Sequence, residues 1–251
     1  MHFENEYLVL DENDKIYDSK IFTSRFATLL GANDFQKKGD ALLEMWKLIP
    51  KEPFDQFYTL RGEIAERIVE SKLATKNVRY KYFGKDASDK KVFDLFPNNK
   101  YFGGVYDFVV NDSQGKYVNV EIKSTSEKNL SYLTEPRKEH VKQAQLCSYL
   151  GNLSFCKIIY VVFNEHDEQM IREKLDNAFL DIPIYDFKVK LITFDVEINE
   201  DQIRQDMKSA YDYVNKCKIT RKIPISDLSD KVLSKLNYAP DIFERTKVDY
   251  D

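Results

Sequence analysis

Residues 101–123 read YFGGVYDFVVNDSQGKYVNVEIK, and this stretch decides the fold. Residues 101–110 are aromatic and β-branched, and residues 117–123 alternate polar with apolar, so both predict strands. Between them, Ser113-Gln114-Gly115 fits a three-residue hairpin loop, with Gly115 where a type I turn plus bulge needs a left-handed residue. Counting outward from Asp112 and Lys116 pairs Val110 with Val118, Phe108 with Val120, and Asp107 with Glu121. Directly opposed residues have Cβ atoms roughly 4.5–5.5 Å apart. Two carboxylates at that distance repel each other, and a cation between them resolves the repulsion. On the second strand Val118, Val120 and Ile122 share one face, while Tyr117, Asn119, Glu121 and Lys123 share the other. Asp107, Glu121 and Lys123 are therefore expected around one point of a rigid sheet.

That trio suits metal-assisted phosphodiester hydrolysis. Asp107 and Glu121 offer hard oxygen ligands for Mg²⁺ and leave positions for water and phosphate. Lys123 would orient or help deprotonate the attacking water and offset phosphate charge. Two plainer readings stand beside it. Glu121 and Lys123 share the acid-x-Lys spacing of Glu70/Lys72, Asp89/Lys91, Asp186/Lys188 and Asp206/Lys208, which a solvated strand face also explains. Asp107, set among Tyr106, Phe108 and Val109, could instead pair with Lys123.

Working outward, helices are expected over 24–30, ending at Gly31; over 40–48, ending before Pro50; and over about 61–73, with Ile64, Ala65, Ile68 and Val69 on one stripe. The first sixty residues thus read as mainly helical. Residues 78–83 alternate like a strand. A helix lies between Pro136 and Gly151, and residues 157–163 (KIIYVVF) form a strand buried on both faces. A helix over about 165–179, a strand over 185–194 and a helix over about 201–218 follow, and no element is assigned beyond Pro224. The result is one mixed α/β domain, with an N-terminal helical part (1–60), a catalytic core (61–165) and a C-terminal α/β extension (166–251).

The 251 residues suit a core of ordinary size, and 43 % hydrophobic with 32 % charged residues excludes a disordered chain. The net charge of −4 argues against non-specific coating of nucleic acid, though not against a local basic rim. No apolar run is long enough to span a bilayer, and Met1-His2-Phe3-Glu4 opens no secretory signal. Cys147, Cys156 and Cys217 form no CxxC pair, so a thiolate metal site is not expected and a reduced cytosol is. His2, His140 and His166 lack metal spacing, and His140 reads as a helix-surface residue. Trp46 reads as core or interface. Lys72, Lys76, Arg79, Lys81 and Lys85 could line a DNA groove or merely be solvated, and Lys216, Lys218, Arg221 and Lys222 form a second basic cluster.

Gln145 and Tyr149, four apart, share a helix face, a pattern equally common at an amphipathic border. Arg137 and Lys138 open that helix at its positive end, where a bound phosphate would relieve them, or where they simply project into water. In order along the chain stand Gly62-x-x-x-Glu66, Asp107, Glu121-Ile122-Lys123 and Gln145-x-x-x-Tyr149. This series resembles the PD-(D/E)XK nuclease superfamily, and within it the RecB, YqaJ and lambda-exonuclease branch. Ser24-Arg25-Phe26 followed by Leu30-Gly31 resembles the N-terminal segment of YqaJ-type exonucleases, where a serine and a basic residue contact the DNA end. The resemblance implies a restriction-endonuclease-like core, a central mixed sheet flanked by helices. It implies Glu66, Asp107, Glu121 and the Ile122 carbonyl as ligands of Mg²⁺, with Mn²⁺ able to substitute. It makes Lys123, Gln145 and Tyr149 further catalytic residues, Gln145 bracing the phosphate or the lysine. Ser24, Arg25, Arg61, Arg137 and Lys138 are the candidate DNA contacts. The implied activity is a deoxyribonuclease, chiefly a phage-type exonuclease working at DNA ends in recombination or repair. A single-strand annealing partner and a ring-like homo-oligomer are implied companions. The alternatives are a sequence- or structure-specific endonuclease and a non-catalytic DNA-binding module. Tyr106 stands where the superfamily name has proline, and the four-cysteine set of iron–sulfur relatives is missing.

Overall fold

The computed structural model describes residues 1–51, 55–85, 90–176 and 183–237. At its centre is a mixed sheet of five strands: β4 (Tyr80–Tyr82), β6 (Phe108–Asn111), β7 (Tyr117–Ser126), β8 (Phe155–Phe163) and β9 (Lys190–Val196), adjacent in that order. Only β7 and β8 run parallel; the other neighbours are antiparallel. A parallel pair needs a crossover, and helix α4 (Lys138–Leu150) supplies it.

The hairpin has the register the sequence predicts. Phe108 lies opposite Val120 and Val110 opposite Val118. Gly115 takes φ +76°, and Asp112 Oδ1 accepts the backbone N–H groups of Gln114 and Lys116, both at 2.8 Å. The expected strand over 101–110 is broken in two. Its first part, β5 (Phe102–Gly103), leaves the central sheet and pairs in parallel with β3 (Ile21–Phe22). The glycines explain the break: a Cβ on Gly104 would come within 2.5 Å of the Thr23 side chain, and the Gly104 carbonyl accepts Leu95 N–H at 2.8 Å.

Helix α3 (Gln56–Thr75) begins at Asp55, whose carboxylate accepts Phe57 N–H at 2.9 Å, and so starts a turn earlier than expected. Its stripe Ile64, Ala65, Ile68 and Val69 covers Val118, Val120 and Ile122, with Ile171 of α5 (Glu165–Asp176) beside it. Helix α4 covers the opposite face, and α1 (Thr23–Leu29) and α6 (Glu200–Thr220) pack over α4.

The first sixty residues hold more than helices. Strands β1 (His2–Glu4) and β2 (Tyr7–Val9) form a hairpin that β10 (Lys222–Pro224) completes from the other end of the chain. Under it lie Leu42 and Leu43 of α2 (Lys38–Met45), the buried Trp46, and Val232 of α7 (Asp230–Lys235). The expected helix tip at 177–179 falls outside the described residues. No described helix is long and apolar enough to cross a membrane.

Candidate active site

The middle of the polar face of β7 is buried, not solvated: Asn119 and Glu121 are 0 % and 1 % exposed, while Tyr117 at its start is open to solvent. A buried polar strand face needs polar partners, and α4 supplies them. Asn119 Nδ2 donates to Ser148 Oγ at 2.9 Å. Gln143 Nε2 donates to Glu121 Oε1 at 2.6 Å, and Lys123 Nζ donates to the same oxygen at 2.6 Å. Lys123 Nζ also reaches Gln143 Oε1 at 3.2 Å, which closes a ring of three side chains.

Asp107 sits one residue before β6, at the position the register sets opposite Glu121. Its Oδ2 accepts Ile122 N–H at 2.7 Å, and its own carbonyl accepts Phe83 N–H at 3.1 Å. Burial, and then the Glu121 charge, hold the Asp107 carboxyl well above its ordinary range. Glu66, on α3, is likewise raised, first by burial and then by Glu121 and Glu63, although its Oε2 accepts the Tyr82 hydroxyl at 2.8 Å. Burial alone would lower the Lys123 amine; the Glu121 and Asp107 charges outweigh it and raise the amine above its usual value.

Beyond Lys123 the network continues into β8. Tyr160 lies directly beside Lys123 in the ladder. Its hydroxyl accepts Arg137 N–H at 3.0 Å and lies 2.7 Å from His140 Nδ1. Burial, then the Lys123 and Arg137 charges, push the His140 imidazole down to about 3. The ring is thus neutral, and the tautomer it adopts decides whether Nδ1 donates to the Tyr160 hydroxyl or accepts from it. His140 is therefore part of the buried network rather than the surface residue expected.

Other expected residues lie elsewhere. Gln145 Nε2 donates to the Glu197 carbonyl at 2.8 Å, and the Tyr149 hydroxyl accepts Arg204 Nε–H at 3.0 Å. Gln145 thus meets the segment between β9 and α6, and Tyr149 meets α6; of the two roles expected for Gln145, bracing the phosphate or the lysine, the contact to Lys123 is made by Gln143 instead. At about 100° per residue, two positions along a helix turn a side chain through about 200°, to the opposite side. Arg61 is also corrected. It is buried, donates to Glu168 at 2.6 Å and to Ser124, and stacks over Phe57 and Tyr58, so its guanidinium is structural. Arg25 binds Gln36 at 2.6 Å and Glu44 in a closer ion pair, while Ser24 is exposed on α1. Arg221 spends its guanidinium on the carbonyls of Leu10, Asp11 and Asp14 rather than on a phosphate contact. Arg137 and Lys138 do open α4, exposed, beside the network. At Ile122 it is the N–H that contacts Asp107. Gln143, Tyr160 and the inward His140 were missed. The signal was the run of small residues Ala144, Cys147 and Ser148, which marks the side of α4 that can approach the sheet closely.

Among the described residues, no three His, Cys, Asp or Glu side chains already converge as a metal cage. Glu121 Oε2 is nevertheless buried with no hydrogen-bond partner. An anionic oxygen stripped of water and given no donor is costly, and a divalent cation would satisfy it. Mg²⁺ suits such a place, because it keeps several waters and takes one or two carboxylates with substrate phosphates. The donor set of Glu121 and Asp107, with Glu66 behind Tyr82, fits that ion.

The fold and this buried carboxylate–lysine group define a mixed α/β scaffold of restriction-endonuclease-like type. Among solved structures it is similar to the alkaline exonuclease LHK-Exo from Laribacter hongkongensis, with TM-score 0.52 and 13 % identity over 87 % of this chain and 93 % of that one. LHK-Exo in complex with dAMP gives a TM-score of 0.51, also at 13 % identity and over the same shares of the two chains. A phage-related exonuclease from Haemophilus somnus 129PT is covered over 95 % of its length by 80 % of this chain, at 14 % identity and TM-score 0.49. No family model and no curated protein sequence matches the chain.

Proposed function

We propose that the protein is a Mg²⁺-dependent deoxyribonuclease of the PD-(D/E)XK superfamily, acting from DNA ends. The observation that carries this reading is the buried, partnerless Glu121 Oε2, with Asp107 opposite it and Lys123 beside it. Glu121 and Asp107 would hold the ion, with Glu66 the third candidate and the Ile122 carbonyl a fourth; bound Mg²⁺ or Mn²⁺ supplies Lewis acidity toward phosphate and water. Gln143 fixes Glu121 and Lys123 in one ring, so neither is free to turn away. In this arrangement Lys123 is an ammonium, which donates to a phosphate oxygen or a water and offsets developing charge. The likeness in fold to exonucleases supports a nuclease. The setting that suits it is end processing in recombination or repair, in a reducing cytosol that keeps three buried cysteines free.

The test is cleavage of linear and closed circular DNA in Mg²⁺. We expect wild type to shorten linear DNA and to stop in EDTA. Lys123→Ala and Asp107→Asn should each lose about 10²–10³-fold. Unchanged activity in either variant rejects the site, and cutting of closed circles shifts the reading to an endonuclease. A second reading, a DNA-binding module without turnover, draws on the absence of a ready three-ligand cage among the described residues. Titrated Mg²⁺ separates the two. An ion that binds only the folded state raises the melting temperature, and no shift with DNA binding intact favours the module.

A further inference from the structure

The loop between α1 and α2 presents one large apolar ring to solvent: Phe35 is 78 % exposed. The residues on either side of it are tied down. Phe35 N–H is taken by Asn33 Oδ1 at 2.8 Å, and Asn33 in turn donates to Thr28 Oγ1 at 3.0 Å. On the other side, Gln36 accepts from Arg25 at 2.6 Å and donates to Glu44 Oε1 at 3.0 Å. An exposed ring on a loop braced in this way has already lost the freedom that binding would otherwise remove.

The ring lies against the entrance of α4. The Arg137 guanidinium lies 5.7 Å from the Phe35 centroid. Arg137 is the first residue of the α4 entrance, its N–H bonds Tyr160, and Tyr160 neighbours Lys123. A chain of four residues therefore runs from Phe35 through Arg137 and Tyr160 to Lys123. Arg137 covers only part of the ring, since most of the phenyl surface stays accessible. Aromatic rings next to cations are what an unpaired nucleobase and its phosphate require, and stacking of this kind tolerates any base.

We infer that Phe35, backed by Arg137, is a stacking subsite for an unpaired nucleobase of a single-stranded DNA end whose strand leads on toward Lys123. The Arg25–Gln36–Glu44 cluster then positions the loop rather than touching DNA. This inference rests on the nuclease reading for its place in a reaction, but binding can be measured apart from cleavage.

The experiment uses the full chain in EDTA and a single-stranded oligonucleotide carrying 2-aminopurine at its end, whose fluorescence is quenched by stacking. Wild type should bind and quench. Phe35→Ala should weaken binding about tenfold or more and lose the quench, while Phe35→Trp restores both. The melting temperature of each variant should match wild type, because the ring supports no core. Gln36→Ala, which frees the loop, should give an intermediate loss. Phe35→Ala that binds and quenches like wild type overturns the inference, as does wild type that fails to bind. Wild type that quenches but never cleaves in Mg²⁺ leaves the subsite standing and removes the nuclease reading instead.

Discussion

The two sides of α4 each carry a glutamine and have opposite surroundings. On the inner side, His140, Gln143, Ala144, Cys147 and Ser148 meet Tyr160, Lys123, Glu121 and Asn119, with the ion pair between Glu121 and Lys123 almost closed to water. On the outer side, Gln145 and Tyr149 meet a backbone carbonyl and Arg204, which is 57 % exposed and shared with Glu200 and Asp201. Each side carries a half-buried glutamine followed four residues later by a partner on the same face, yet only the inner glutamine meets charged groups. Dielectric makes the difference. A hydrogen bond to a charge in a dry interior is strong and costly to leave unmade, whereas an exposed pair is screened and adds little.

Between the two sides, the largest difference should come from truncating one glutamine or the other. Gln143→Ala removes the group that holds both Glu121 and Lys123, and we expect activity to fall about 10–100-fold, as for outer partners of metal ligands. Gln145→Ala should leave the rate within twofold or so of wild type. Steady-state cleavage of linear DNA by the two variants decides it; equal losses would break the distinction between the two sides.

Acid titration sharpens the same comparison. His140, inside, is depressed to about 3, first by burial and then by the Lys123 and Arg137 charges. The unfolded imidazole takes a proton near its ordinary value, so the unfolded state binds more protons between roughly pH 6.5 and the folded value. Stability from this group is therefore complete above that window and is lost as pH falls through it, by up to about 1.4 kcal/mol per pH unit. Denaturant melts of His140→Gln over that range should show a shallower acid loss than wild type.

These contrasts also explain what was legible in the sequence. The hairpin was, because turn chemistry and alternation are local: Gly115 and Asp112 set the register, and the register brings residues 107 and 121 together. The choice between Gln143 and Gln145 was not, since spacing alone satisfies both. It needed the knowledge that β7 buries its polar face against α4. Arg61 looked like a DNA contact because its acid, Glu168, lies 107 residues away along the chain. For the same reason β1 and β2 went unread. Their third strand, β10, comes from residues 222–224, and three-residue strands carry almost no periodicity of their own.

The smallest expected change belongs to the outer side. Tyr149→Phe deletes the hydroxyl that accepts from Arg204 Nε but keeps the ring, which packs with Leu146 and Ile203 in the cluster between α4 and α6. Arg204 retains Glu200 at 2.7 Å and Asp201 at 3.4 Å, so no buried donor is orphaned. An exposed hydrogen bond of this kind contributes about 0.5 kcal/mol or less. The variant should therefore melt within a degree or two of wild type and cleave DNA at the same rate. A large loss of activity with unchanged melting would mean that the outer side of α4 reaches the reacting phosphate after all. That outcome would require α6 to move off Tyr149 when DNA binds, and it would return the Gln145/Tyr149 pair to the catalytic set.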